Sequence, residues 1–374
     1  MNIIDRYIGR EVLIASFFAV VILSVVLVLG NIFKEVLSQL VNRPDISIGF
    51  VIKFMLYVLP FSLSLTIPWG FLTAILLIFG RISADNELVS LRMAGLSMIR
   101  ICASIAVLAV GFTLLCFWLN MSVAPVMKQK LTYMLPNMIF NLAKQNPDGL
   151  FTDQQVMTDI PGHMVYAEKT EGGLKNFQMI KLDERKNPEI FAIAKQVELS
   201  SEMKDGTPLI LLKMKDAYFE LKADTDPKSF AKTQPYIAEY APMSISLDQL
   251  QQKSNKIKPE TLRFGQLLEQ LKRDDIGRSQ RSSLKTEASL RFSFSLACIT
   301  LALIGVPLGI TAQRRETSIG FAMSLLVGIV YFLLMTIAEM MRSKEHLFPH
   351  LLVWLPNIIF LGLGLYMFRR LSAK

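Results

Sequence analysis

The sequence predicts an α-helical membrane protein with six spans, three before and three after an inserted all-β segment. Six apolar stretches, residues 12–33, 51–79, 99–123, 288–311, 317–341 and 348–368, each come close to the roughly 20 residues needed to cross a hydrocarbon core. The basic residues of the short loops are biased to one side. Between the third and fourth stretches the pattern changes to short alternating runs punctuated by glycine and proline. A chain of 374 residues that is 52% apolar, with a mean hydropathy of +0.40, is too apolar for an ordinary soluble domain and too polar to be membrane throughout.

Taken from the amino terminus, Asp5-Arg6-Tyr7-Ile8-Gly9-Arg10-Glu11 reads as an interfacial helix with charges at the lipid boundary. The first apolar run has no small-residue cleavage site and exceeds a signal-peptide core, so a retained anchor is expected. It closes on Asn31-Ile32-Phe33-Lys34-Glu35, where Lys34 can snorkel along the rim or meet an anionic headgroup. The second run contains Pro60 and Pro68, which neighbouring helices tolerate inside a membrane.

A polar island, residues 81–96, separates the second and third runs. Asp85 is placed to cap a helix that Gly95 can end, because glycine readily takes the left-handed conformation past a helix. Leu88 and Leu91 share one face, with Glu87 beside them. The island reads either as a short amphipathic helix that a partner could push or as a solvated turn, and its residues alone leave both open.

With the amino terminus inside, the inner loops carry Arg6, Arg10, Arg81, Arg92, Arg100, Arg314, Arg315, Arg369, Arg370 and Lys374. The outer loops and rims carry Lys34, Arg43, Lys53, Arg342 and Lys344. Ten against five places both termini inside and residues 124–285 outside. That segment holds 24 basic and 21 acidic residues, so the net charge of +9 does not mark it as a nucleic-acid or polyanion binder. Cys102, Cys116 and Cys298 all fall in the spans, so the outside segment must be held by its core rather than by disulfides.

Strands are expected there at 156–160, 163–168, 177–182, 190–199, 209–214, 217–221, 236–240 and 243–247, with turns at Pro161-Gly162, Gly172-Gly173 and Asp205-Gly206. Short, evenly spaced strands of this kind build a sandwich or open barrel. The resulting division is 1–123 for three spans with a polar helix at about 84–95, 124–258 for the β domain, 259–285 for a connecting helix, and 286–374 for the last three spans. Leu262, Leu267, Leu268 and Leu271 supply the stripe of the connecting helix. Glu287 and Arg291 lie i,i+4, small residues surround Pro307, and Glu339 and Arg342 lie three apart at an outer end.

Several chemistries are missing from the sequence. It contains no Gly-x-x-x-x-Gly-Lys-Ser/Thr loop, no His-Glu-x-x-His and no Gly-x-Ser-x-Gly elbow. His346 and His350 are split by Pro349 with no third ligand near, so no metal is expected. No span carries a central carboxylate or histidine of the kind a proton-coupled carrier needs. No cofactor is implied, and work on a substrate must be powered by another protein.

Three pieces together resemble the lipopolysaccharide export permease family, the LptF/LptG type of ABC transporter subunit. They are Arg6-Tyr7-Ile8-Gly9-Arg10-Glu11, Glu87-Leu88-Val89-Ser90-Leu91-Arg92-Met93-Ala94-Gly95-Leu96-Ser97, and Glu287-x-x-x-Arg291 followed by Gly305-Val306-Pro307-Leu308-Gly309. Ser295 departs from the family, many members of which place proline before the small-residue run. The resemblance implies a bacterial inner-membrane protein with both termini cytoplasmic and a periplasmic β-jellyroll-like domain between the third and fourth spans. It implies a heterodimer with a second permease of this type, bound to a cytoplasmic ATPase dimer that hydrolyses ATP in trans. It further implies that lipopolysaccharide is extracted into a cavity between the permeases and handed to a bitopic periplasmic bridge protein. Carried over by position, Glu87, with Leu88, Leu91 and Arg92 on the same helix, would meet the ATPase. Lys34 would face lipid A phosphates near a gate of the first and fifth spans, and we add Arg291 and Arg342 as outer-rim cations for the same lipid. The alternatives are a lipoprotein-releasing type of permease, which has four spans with its outside domain after the first, and an envelope-sensing membrane protein.

Overall fold

The computed structural model describes residues 3–42, 48–145, 151, 153–157, 162–170, 173–183, 187–204, 207–222, 233–246, 258–273, 276–311 and 317–372. The chain divides into two compact units. Met1–Val36, Ile48–Lys130 and Lys258–Lys374 make the first, and Leu37–Ser47 with Leu131–Ile257 make the second.

The first unit is helical. Helix α1 is Ile3–Asn42, α2 Ile48–Ala84, α3 Glu87–Met93, α4 Met98–Ile101 and α5 Ala103–Trp118. A five-residue π turn, Leu119–Val123, carries α5 directly into α6, Ala124–Gln145. After the second unit come α7 Phe264–Leu271, α8 Arg278–Thr311, α9 Thr317–Met340, α10 Pro349–Leu352 and α11 Leu355–Ser372. Among the described residues five helices are long and apolar enough to cross a membrane: Ile3–Gly30, Ile48–Ala84, Ala103–Met134, Arg278–Thr311 and Ala322–Met340. The pair Glu345–Leu352 and Leu355–Leu371, bent by 44° at a short break, adds a sixth if it is counted as one span. Three of these apolar helices precede the β segment.

Two limits drawn from hydropathy move. The third apolar helix does not stop at 123 but continues to Gln145, because backbone hydrogen bonding persists where side-chain hydropathy falls. Likewise α8 begins at Arg278 rather than at 286. Residues 259–285 are therefore a single 3₁₀ turn at Pro259–Thr261, the short α7, and the opening turns of α8. Leu262 lies outside α7, and Leu267 supplies its fully buried contact.

Packing is centred on α2 and α8, whose apolar stretches are 72% buried, against 22% for α1. Small residues permit the approach. A Cβ on Gly305 would come within 2.9 Å of Leu72 Cδ1, and one on Gly309 within 3.1 Å of Phe79 Cβ. A Cβ on Gly70 would meet Val20 Cγ2 at 2.6 Å, so α1 crosses α2 there almost backbone to backbone. With Val20 at that crossing, α1 turns a narrow stripe of Asp5, Ile8, Val12, Ser16 and Ser24 inward, in steps of three, four or eight as one helical face requires. Phe17, Phe18, Ile22 and Val26 of the same helix are exposed.

A buried amide joins three helices. Asn357 Oδ1 accepts from Thr300 Oγ1 at 2.9 Å and from Tyr331 OH at 3.2 Å, while its Nδ2 donates to the Ser293 carbonyl at 2.7 Å. Every polar atom of that side chain is engaged, as burial in an apolar bundle demands. Cys116 and Cys298, both free and buried, face each other with sulfurs 3.8 Å apart. Ser295, the departure noted in the sequence, donates to the Arg291 carbonyl at 2.7 Å and accepts from Asn120 Nδ2 at 3.1 Å.

The second unit holds one six-stranded antiparallel sheet in sequence order, β1 to β6: Gln155–Met157, His163–Thr170, Gly173–Leu182, Pro188–Lys204, Thr207–Lys222 and Thr233–Ser246. Each strand pairs with its chain neighbour, a meander, and no crossover pairing occurs among the described residues. Eight expected strands become six because two expected breaks are kinks. Asp216, at a φ of 51°, sits inside β5, and Pro242 lies within β6 opposite Lys213. An irregular residue is absorbed when the pairing continues on either side of it along the strand, as it does for Asp216 between β4 and β6 and for Pro242 against β5. One face is sealed by Phe151, Val165, Phe177, Met179, Ala192, Ala194, Leu212 and Met214, so the unit has its own core without disulfides. Gly162 takes a φ of 75° at the expected turn; Pro161, Gly172, Asp205 and Gly206 lie outside the described residues.

Candidate functional site

Glu87 opens α3, a seven-residue helix between α2 and α4. The expected Asp85 cap is not made. The Asp85 N–H still donates to the Arg81 carbonyl at 2.9 Å, so Asp85 belongs to the last turn of α2. The break falls at Asn86, which adopts the left-handed conformation at φ 58° and gives no side-chain cap; asparagine is among the few residues that tolerate this. At the other end Gly95 behaves as expected, with φ +83°. The Leu96 N–H reaches the Leu91 carbonyl at 3.3 Å and the Gly95 N–H the Arg92 carbonyl at 2.9 Å, the paired bonds of a Schellman motif.

Leu88 is buried and Leu91 packs beside it in the core cluster that also holds Ile8, Ile82 and Met98. These two leucines anchor α3 to the bundle. The apolar side chains that α3 exposes are Val89, 52% accessible, and Met93, 84% accessible. They lie four apart on one face, a pairing the sequence reading passed over in favour of the leucines. Glu87 and Arg92 are half-buried between the two faces.

The start of α1 is tied to the same end. Tyr7 OH donates to Glu87 Oε2 at 3.5 Å and accepts from Arg81 Nη2 at 3.4 Å. Arg81 Nη2 also pairs with Glu11 Oε2 at 3.2 Å, and the Arg100 guanidinium meets the buried Asp5 carboxylate at 2.7 Å. Asp5, Tyr7 and Glu11 thus reach residues before, within and after α3. Partners so distant in sequence left no local signal.

Arg291 and Arg342 are not free rim cations. Glu287 stands between them, with Oε1 3.0 Å from Arg291 Nε and Oε2 2.7 Å from Arg342 Nη2. Arg291 Nη2 also donates to the Pro259 carbonyl at 3.2 Å, and Glu339 approaches Arg342 Nη1 at 3.7 Å. The Glu287 and Arg291 side chains are 8% and 4% exposed, that of Arg342 21%. The i,i+4 spacing pointed to the first contact. The second joins α8 to the chain beyond α9, which spacing could not reveal. Arg291 Nη1 and Arg342 Nε find no acceptor among the described residues, so the cluster has more donors than acceptors. It borders a cleft of about 350 Å³ also lined by Phe61, Asn120, Lys128 and Phe332.

Lys128 closes another side of that cleft, 2.6 Å from Glu260 Oε2 and 4.8 Å from the centre of the Phe61 ring. Burial acts to raise the Glu260 carboxyl, but Lys128, Arg342 and Lys258 outweigh it and hold the group below its ordinary 4.5. A carboxylate depressed on folding stabilises above its unfolded value and loses that stabilisation as pH falls through the depressed one. The protection factors of the backbone amides of residues 258–271, taken relative to the intrinsic exchange rate at each pH, are therefore expected to be high at pH 7 and to fall as the pH is lowered beneath 4.5. In Glu260→Gln that pH dependence should be absent. Lys34 lies on α1, but its side chain is outside the described residues.

An apolar bundle with a short helix held at one end, an ion cluster beside an intrabundle cleft, and a β-sheet segment inserted in the chain is the construction of a membrane permease. The family model for the lipopolysaccharide export system permease LptF/LptG matches residues 6–370, and the chain belongs to that family. It is accordingly a multi-pass inner-membrane protein of lipopolysaccharide export. No curated protein matches the chain.

Proposed function

We propose that this chain is the permease subunit of an ABC transporter that extracts lipopolysaccharide from the inner membrane and passes it to a periplasmic bridge. The observation that carries the reading is the family match, continuous across both helical halves and the β unit between them. Six spans with both termini cytoplasmic place α3 in the cytoplasm, where Glu87, Arg92, Val89 and Met93 meet an ATPase dimer that hydrolyses ATP in trans. A second permease of the family completes the cavity. Lys34 contacts lipid A phosphates, and Arg291 and Arg342 serve as outer-rim cations for the same lipid, Arg342 being the more exposed partner of Glu287.

On this reading the β unit is periplasmic and jellyroll-like, and its terminal strand β6 continues the sheet into the bridge. Support comes from Tyr236, Ile237 and Tyr240, which stand exposed on β6 at one end of the strand order, where a further strand can add. Acyl chains leaving the bilayer forfeit burial worth roughly 0.8 kcal/mol per CH₂, so an apolar lining along the route lowers the work left to ATP. Three apolar helices ahead of the β unit speak against a four-span permease of the lipoprotein-releasing type. The test is purification from native membranes in mild detergent, followed by reconstitution with lipopolysaccharide. A second six-span permease and an ATPase should co-purify, and ATP should release lipopolysaccharide to a soluble bridge domain. Purification without an ATPase, or no ATP-dependent release, would overturn the reading.

A further inference from the structure

The proposed coupling helix accounts for how force enters the protein but not for where it goes. Helix α3 is only seven residues long, and the two leucines that anchor it pack into a cluster shared with Ile8 and Val12 of α1. Around that apolar contact, α1 contributes three polar side chains to this end of the bundle. Tyr7 bridges Glu87 and Arg81, Glu11 pairs with Arg81, and Asp5, 7% exposed, pairs with Arg100. Residues 81 and 100 bracket the whole α3 segment. The segment is therefore linked to the first three turns of α1 before, within and after α3, at Arg81, Glu87 and Arg100.

Helix α1 is also the apolar span with the smallest buried share, 22%. Beyond its first turns α1 meets the bundle at Ala15, at the Val20 crossing over Gly70, and through a hydroxyl pair between Ser24 and Thr66 at 2.8 Å, among other contacts. A helix held firmly at one end and lightly along its length follows the end that holds it. Helices α2 and α8, at 72% buried, resist the same displacement, because close-packed interfaces shift between discrete arrangements rather than deforming continuously.

We propose that Asp5, Tyr7 and Glu11 form a clamp that carries the displacement of α3 into α1. A partner cation engaging Glu87 competes for the oxygen that Tyr7 donates to, and Arg81 and Arg100 pull the amino-terminal turns of α1 with the loop. Asp5 and Tyr7 are positioning residues: they contact neither nucleotide nor lipid, and they set whether ATP turnover by the partner moves α1. This inference rests on the permease reading above and adds to it the element that moves.

The experiment uses the full complex of this chain, its partner permease and the ATPase in vesicles of inner-membrane phospholipid and lipopolysaccharide. A fluorescent probe is attached through Phe18→Cys, on the exposed face of α1. ATP hydrolysis, lipopolysaccharide release and the ATP-dependent change in probe emission are measured together. In the parent complex ATP should shift the probe. In Asp5→Ala, hydrolysis should stay within twofold, release should fall at least fivefold and the probe shift should be lost, while Asp5→Glu should restore both. Tyr7→Phe, which removes one hydroxyl from a 43% exposed side chain and leaves folding intact, should reduce release and probe shift by about the same factor as each other. An unchanged probe shift in Asp5→Ala and Tyr7→Phe overturns the clamp, and so does a loss of hydrolysis parallel to the loss of release. Absence of ATP-driven release from the parent complex instead overturns the permease reading, whereas a parent complex that releases lipid with no probe shift overturns the clamp alone.

Discussion

Removing Glu287 is expected to cost this protein more stability than any other single side-chain truncation argued from its structure. Its two oxygens serve two guanidinium groups, one of them 4% exposed, and two further nitrogens of those arginines already lack an acceptor among the described residues. Taking one member from a buried ionic group leaves uncompensated charge and typically costs 3–5 kcal/mol. Glu287→Ala should therefore lower the thermal midpoint in detergent sharply and reduce membrane yield. Glu287→Gln keeps the shape and one acceptor oxygen and should lie between the two. Because buried ion pairs repay their desolvation poorly, replacing Glu287 and Arg291 together by leucine should recover part of the loss, Arg342 being the more exposed partner. A Glu287→Ala midpoint within a degree of the parent would show that the pairing contributes little.

The second large effect concerns activity rather than folding. Glu87 is half-buried, and Tyr7 gives its carboxylate a single long hydrogen bond at 3.5 Å. Reversing its charge should thus leave the thermal midpoint nearly unchanged. If α3 meets the ATPase through this carboxylate, Glu87→Lys exchanges an attraction for a repulsion. Release should drop by at least tenfold, as loss of about 1.4 kcal/mol or more at a coupled contact implies. Less ATPase should co-purify, and a complementary acidic substitution on the ATPase should recover association. Equal co-purification and equal release would remove Glu87 from the interface. Leu88→Asp provides the contrast, since it places a charge in the core cluster and should fail by unfolding.

How legible the fold was depended on the range of the interaction. Apolar runs near 20 residues long located the spans because hydropathy is a property of each segment by itself. The Gly95 terminus was readable for the same reason, as left-handed backbone is a local demand. Element boundaries were less so: α6 continues through polar sequence to Gln145 and α8 starts early at Arg278, both decided by hydrogen bonding rather than by hydropathy. Asp85 lost its capping role to an αL Asn86, a choice fixed by how far α2 extends. The strand break expected at Asp216 vanished because pairing with β4 and β6 outweighed local preference, and the one at Pro242 because β6 keeps its register with β5 on either side of it.

Within the site, the pair Glu287 and Arg291 was visible as an i,i+4 spacing, whereas Arg342, brought in by α9, was not linked to it by any pattern. The clamp of Asp5, Tyr7 and Glu11 was harder still, since its partners lie 70 to 95 positions away. Leu88 and Leu91 were correctly grouped on one face, but burial assigns that face to the bundle. Val89 and Met93 hold the exposed one.

The π turn at Leu119–Val123 acts on everything downstream of it as a change of phase. A π turn accommodates one residue more than an α-helical turn, so each later side chain is rotated by about 100° relative to a regular helix of the same sequence. Lys128 is the fifth residue past that turn, and its reach to Phe61 and Glu260 depends on the offset. A single-residue deletion within 119–123 would close the turn as regular α-helix and keep Lys128 on the cleft, whereas a deletion between the turn and Lys128 would turn that side chain away by about 100°. At this point the protein is specified by the count of residues as much as by their identity.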